Sequence, residues 1–128
     1  MRKIQMLLIV VLTALTLNSC KDDAPAPNNS NLVGYWSMTD KITHYTDGTP
    51  DDSTHYSTPT NHWDITTTQI CKNDGTNVEC NTYTYSQPTL IINSPNVETY
   101  QVVSVNVSNL LLKISTNTGG YKLFKFSK

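Results

Sequence analysis

Three cysteines, three histidines and a set of polar-tipped aromatics are the side chains in this sequence best equipped for chemistry. His44, His55 and His62, with Asp47, Asp51, Asp52 and Asp64 nearby, could assemble a metal or acid–base site. Their spacing matches no ligand motif, however, and His44 and His55 flank a polar loop, so solvated side chains are the expectation. The run Asp47-Gly48-Thr49-Pro50-Asp51-Asp52 has the superficial look of a calcium loop. It lacks the alternating oxygen ligands and the terminal glutamate that such a loop needs, and is expected to be a turn. No serine or threonine lies in a recognisable nucleophile elbow. The chain is therefore expected not to be an enzyme, and to use neither metal nor cofactor.

Cys20 has a different setting. Arg2 and Lys3 give a positive start, Ile4 to Leu17 is almost wholly apolar, and Asn18-Ser19 leads into the cysteine. The run is too short, and too promptly followed by Lys21, Asp22 and Asp23, for an ordinary spanning helix. It has the anatomy of a secretory signal. Leu17-Asn18-Ser19-Cys20 resembles the lipobox of bacterial lipoproteins, which implies cleavage before Cys20 and attachment of a diacylglycerol to its thiol. Two or more acyl chains anchor stably where one does not. Lys21-Asp22-Asp23 is similar to the short export signal of Bacteroidetes-type lipoproteins destined for the cell surface. The resemblance implies an outer-membrane lipid anchor facing outward, with a periplasm-facing anchor as the alternative. Residues 1–19 are then the signal peptide and residues 20–31 a lipidated, Pro- and Asn-rich tether.

With Cys20 committed to lipid, Cys71 and Cys80 form an even pair outside the cytoplasm, where disulfides persist. Both lie on expected strands, with the turn-forming Lys72-Asn73-Asp74-Gly75-Thr76-Asn77 beginning just after Cys71. If Cys71 faces Cys80, Asn73 faces Val78 and the loop proper is Asp74 to Asn77. A two-residue Asp74-Gly75 turn would instead set Cys71 opposite Val78, so disulfide and tight turn compete. The facing geometry favours the disulfide. Two thiols without a further Cys or His pair make a poor zinc site.

What must position these groups is a single domain, residues 32–128 of the 128. The whole sequence carries a formal net charge of −1, and loses two basic residues with the signal. No basic patch exists to neutralise phosphates, so nucleic acid is not an expected partner. Beyond residue 31 no sustained helical period is present, and Thr, Val, Ile and Tyr suit half-buried strands. Strands are expected at about 33–43, 61–71, 78–86, 88–93, 97–106, 109–116 and 119–127, with 53–58 either a short strand or loop. So many short, regularly spaced strands predict an all-β fold, a small up-and-down antiparallel barrel or, alternatively, a β-sandwich.

Leu32-Val33-Gly34-Tyr35-Trp36 resembles the Leu-x-Gly-x-Trp opening of lipocalins and of lipocalin-like Bacteroidetes lipoproteins. The resemblance implies a barrel whose closed end is plugged by Trp36, with a basic residue near the C-terminus packed over it. Lys122, Lys125 and Lys128 are the candidates for that residue. Aromatic and apolar side chains are the expected ligand contacts: Trp36, Met38, Trp63, Tyr83, Tyr85, Tyr100 and Phe124. The same residues also suit cross-strand packing. Two functions follow: a lipid-anchored binder of a small apolar or amphipathic molecule or a glycan, or a filled barrel contacting a partner protein through loop 44–60 or a strand edge. An open cavity lined by Trp36, Met38, Leu90, Ile92, Tyr100, Leu112 and Phe124 would favour the first, and a solid core the second.

Overall fold

The computed structural model describes residues 29–128. The expected signal peptide, Cys20 and the first part of the expected tether lie outside the described residues. Nine strands follow in chain order: β1 (Gly34–His44), β2 (Asp52–His55), β3 (His62–Ile65), β4 (Gln69–Asn73), β5 (Val78–Ser86), β6 (Thr89–Ile92), β7 (Glu98–Val105), β8 (Asn109–Ser115) and β9 (Tyr121–Ser127). All pairings are antiparallel, and β3 through β9 run as a meander that returns to β1. β1, together with β3 to β9, thus closes into an eight-stranded up-and-down barrel, not a sandwich.

One departure from the expected strands has its cause in turn chemistry. The expected strand 61–71 is two strands, β3 and β4, because the Thr66 hydroxyl accepts the backbone N–H groups of Thr68 and Gln69 at 3.3 and 3.0 Å. Three consecutive threonines are good strand formers by propensity, but a threonine hydroxyl that satisfies its own backbone makes a turn. The segment 53–58 resolves as the short strand β2, exposed throughout, which pairs only with the upper half of β1. β1 changes neighbour along its length: residues 34–37 pair with β3 and residues 40–43 with β2. A bulge at Thr39 separates the two halves. A second bulge lies at Val103 of β7. Bulges of this kind bend a strand and sharpen its twist, as closing a small barrel requires.

Alternation fills the interior. Trp36, Trp63, Ile65, Ile70, Leu90, Ile92, Leu110, Leu112 and Phe126 point inward and are buried. Each large apolar side chain so buried contributes about 1.5–3 kcal/mol. On the inward face of β9, Phe126 enters the core and Phe124 packs against it. Outside, Tyr121 stacks on His44 with ring centroids 4.7 Å apart, under the ammonium of Lys113.

Gly34 begins β1 at φ +142°, and a Cβ built there would lie 2.7 Å from Cε of Lys128. Alanine at this position would both strain the backbone and push Lys128 aside. The expected cost of Gly34→Ala is about 1–3 kcal/mol, seen as a fall in Tm on the order of 10 °C in a thermal melt. An unchanged melt would show that neither the backbone nor Lys128 is constrained there.

Candidate functional site

The barrel has a plugged end and an open end. At the plugged end Trp36 is fully buried, and its indole N–H donates to the Leu32 carbonyl at 2.7 Å. Lys128 lies over the indole with Nζ 4.3 Å from the ring centroid, and donates to the Val33 carbonyl at 3.1 Å. Of the three candidate lysines, Lys128 is the one that covers the tryptophan. Tyr83 seals the same end, accepting from Asn29 Nδ2 at 3.0 Å and donating to the Thr66 carbonyl at 2.8 Å. Tyr85 pairs with Leu90 on the neighbouring strand and is half-buried against the core; burial pushes its phenol above the ordinary value. The structure therefore places Trp36, Tyr83 and Tyr85 in the plug and core.

Between the ends the barrel is solid. Trp36, Leu90, Ile92 and Leu112 have no exposed surface and pack into one cluster, so they form a filled core and line no open cavity.

At the open end lies a cleft of about 290 Å³. Four of the expected contacts meet there: Met38, Trp63, Tyr100 and Phe124 form its apolar side. Trp63 meets Tyr100 edge-on at 5.5 Å, and Tyr100 meets Phe124 edge-on at 6.0 Å. Asn61, Asn73, Asp74, Asn77 and Glu79 form a polar rim. Asp74 accepts the backbone N–H groups of Asn77 and Thr76 at 2.7 and 2.9 Å, and these bonds hold its carboxyl below the usual range.

Sequence reasoning missed the polar group at the centre of this end. The Lys72 ammonium pairs with the Glu98 carboxylate, while Tyr100 donates to the same carboxylate at 2.7 Å. Lys72 also lies over the Trp63 and Tyr100 rings, at 4.9 and 5.4 Å from their centroids. The register carries the signal that could have found it: Trp63 pairs with Lys72, and Glu98 lies two residues before Tyr100, on the same face. Without the Thr66 turn, that pairing could not be read.

Burial, then the hydrogen bond to Glu98 and its negative charge, push the Tyr100 phenol far above its ordinary value of 10.0. A group whose pKa is raised on folding adds stability that is complete below its unfolded value and is lost as pH rises past it. Wild-type stability is therefore expected to fall between about pH 9 and 11 more steeply than that of Tyr100→Phe. Urea titrations across that range check the difference, and parallel slopes would refute it.

The histidines do not converge. His44 Nδ1 lies 2.8 Å from Asp51 and His55 Nδ1 lies 2.8 Å from Asp40, while His62 stacks on Tyr35 at 4.5 Å. The Asp40 carboxyl is lowered by its bond to His55 and then by that to Thr39. Both side chains face solvent as expected, His44 of β1 beside a carboxylate of the following loop and His55 of β2 beside one of β1. Among the described residues no group of three or more His, Cys, Asp or Glu side chains could hold a metal ion.

No protein-family model and no curated protein matches the sequence. Among solved structures, the crystal structure of a lipocalin-like protein from Bacteroides uniformis ATCC 8492 is similar, at 17% identity and a TM-score of 0.47, covering 74% of this chain and 97% of that one. The barrel itself is closed by eight antiparallel strands and plugged by Trp36 beneath Lys128.

Proposed function

We propose that this chain is a non-enzymatic, lipid-anchored binding protein of the outer membrane, facing the cell exterior, that takes a small ligand at the mouth of its barrel. The observation that carries the reading is the open-end cleft, where an apolar wall meets a ring of amide and carboxylate side chains. That mixture of shape-filling and orienting groups characterises small-molecule sites. The ligand is a small apolar or amphipathic molecule or a glycan, and it is held near the surface, because the barrel below is filled.

The placement of the chain's entry supports the anchored arrangement. Asn29, the first described residue, is bonded into the plugged end through Tyr83, opposite the mouth. A tether leading from a lipidated Cys20 to that end leaves the cleft free to face the surroundings. Native mass spectrometry of protein purified from its source tests the binding role directly, since a retained ligand appears as a defined mass increment. Protein that carries no adduct, and gains none from an extract of its own cells, would overturn it. Metabolic labelling with a tagged fatty acid, expected to mark the wild type and not Cys20→Ala, tests the anchor separately.

A second reading, contact with a partner protein, has two observations behind it: the filled core and a strand edge. β2 is an exposed edge strand with β1 as its sole neighbour, and it could add an extended partner segment as a further strand. Its shortness and its polar residues, Asp52, Ser53, Thr54 and His55, are the features by which proteins blunt such edges. The mouth is therefore the stronger site.

A further inference from the structure

We infer that the mouth cleft is built for a single sugar ring, such as the terminal residue of a glycan, and not for an acyl chain, an anion or an amine. This rests on the reading of the mouth as a ligand site and narrows its ligand to one chemical class.

An acyl chain needs an apolar chamber, and none lies beneath the cleft, because Leu90, Ile92 and Leu112 are fully buried in a packed core. An anion would look to Lys72, the one cation lining the cleft, yet that ammonium is already paired with Glu98. Asp74 and Glu79 on the rim add negative charge, which repels a carboxylate or phosphate headgroup. An amine would be drawn to the rim, but the aromatic faces that would cradle it are occupied. Lys72 itself lies over Trp63 and Tyr100 and takes the cation–π position there.

What remains is a half-apolar, half-polar space whose amides and carboxylates suit the hydroxyls of a neutral ligand. Met38 and the half-buried Phe124 offer an apolar wall to one side. Asn61, Asn77 and Glu79 add amides and a carboxylate to the same lining. A pyranose has the matching anatomy: a C–H face that packs on apolar side chains, and a rim of hydroxyls that each donate and accept. The cleft, at about 290 Å³, is on the scale of one such ring and not of an extended oligosaccharide. Glu79 is held in place for this role, since its carboxylate accepts from Asn81 Nδ2 at 2.7 Å.

The test is calorimetric titration of the full chain with a panel of hexoses, N-acetylhexosamines and their disaccharides, beside palmitate, inorganic phosphate and choline. At least one sugar is expected to bind saturably, with a dissociation constant of about 1 mM, as suits a small ligand in a shallow site. Glu79→Ala and Asn61→Ala are each expected to weaken it about tenfold, with the thermal midpoint unchanged. If palmitate, phosphate or choline binds and no sugar does, the sugar assignment is wrong while the mouth stands as a ligand site. Sugar binding indifferent to both variants and to Phe124→Leu would place the sugar elsewhere and overturn the inference. If no probe binds and source-purified protein carries no adduct, the site and its ligand class fall together.

Discussion

Replacing Trp36 with alanine is expected to destabilise the barrel by about 3–5 kcal/mol, a large part of the total for a domain of this size. Three contacts depend on the indole at once. It fills the plugged end with no exposed surface, donates to the Leu32 carbonyl, and supports the ammonium of Lys128. Alanine leaves a cavity, an unpartnered carbonyl and a lysine without its aromatic face. Equilibrium urea unfolding measures the loss, and Lys128→Met separates the parts. Methionine keeps apolar cover over the ring but removes the charge and the bond to Val33, so its cost should stay at about 1 kcal/mol. A Trp36→Ala protein that melts within a few degrees of wild type would mean that the plug is ornamental.

The second large effect lies at the other end. Cys71 and Cys80 face one another across β4 and β5 and are joined by a disulfide. Removing both, as alanines, is expected to cost about 2–3 kcal/mol for so short a loop. The consequence for the mouth goes further than stability. The neighbouring residues Lys72 and Glu79 also pair, on the opposite, inward face, so the bridge outside fixes the register of the cleft groups inside. The rival turn at Asp74-Gly75 would set Cys71 opposite Val78, a slip of two residues that keeps every side chain on its own face. Burial pattern alone cannot reject that slip, whereas the covalent bridge can. The double variant should therefore lose thermal stability and show exchange broadening in NMR spectra at Lys72, Asp74 and Glu79. Reduction of the wild type should reproduce both effects, and sharp, unshifted resonances at those three residues would show that the turn holds its register unaided.

What could be read without coordinates was the part of the fold governed by period two. Strands β5 through β9 lie where alternating Leu, Ile, Val, Phe and Tyr residues put them, and the register of β4 on β5 followed from pairing Cys71 with Cys80. The barrel and its Trp36 plug were also legible, because Gly34 and Trp36 occupy positions that few other residues could fill. The break at Thr66 was hidden by the strand propensity of three threonines whose hydroxyl chemistry prevailed. Lys72 and Glu98 were hidden for a related reason: an inward-facing charge contradicts the pattern by which inward faces are found, and only a partner on another strand permits it. Tyr83 and Tyr85 looked like Tyr100, but which end of the barrel each one serves depends on the topology, and no local pattern encodes that.

Folding order follows from the seam at which β1 meets β9. Strands β3 through β9 pair with their sequence neighbours, and β1 reaches β2 and β3 nearby in the chain. The β1–β9 pairing alone joins the two ends, aligning Ser37 with Ser127 and His44 with Tyr121. Most of the sheet can thus assemble as successive hairpins, each with a short loop to close. The entropy of the long loop falls on one late event, in which a curled sheet meets its own first strand. Until that event the edges of β1 and β9 stay open together, and the meeting of these two strands removes both from reach of other chains.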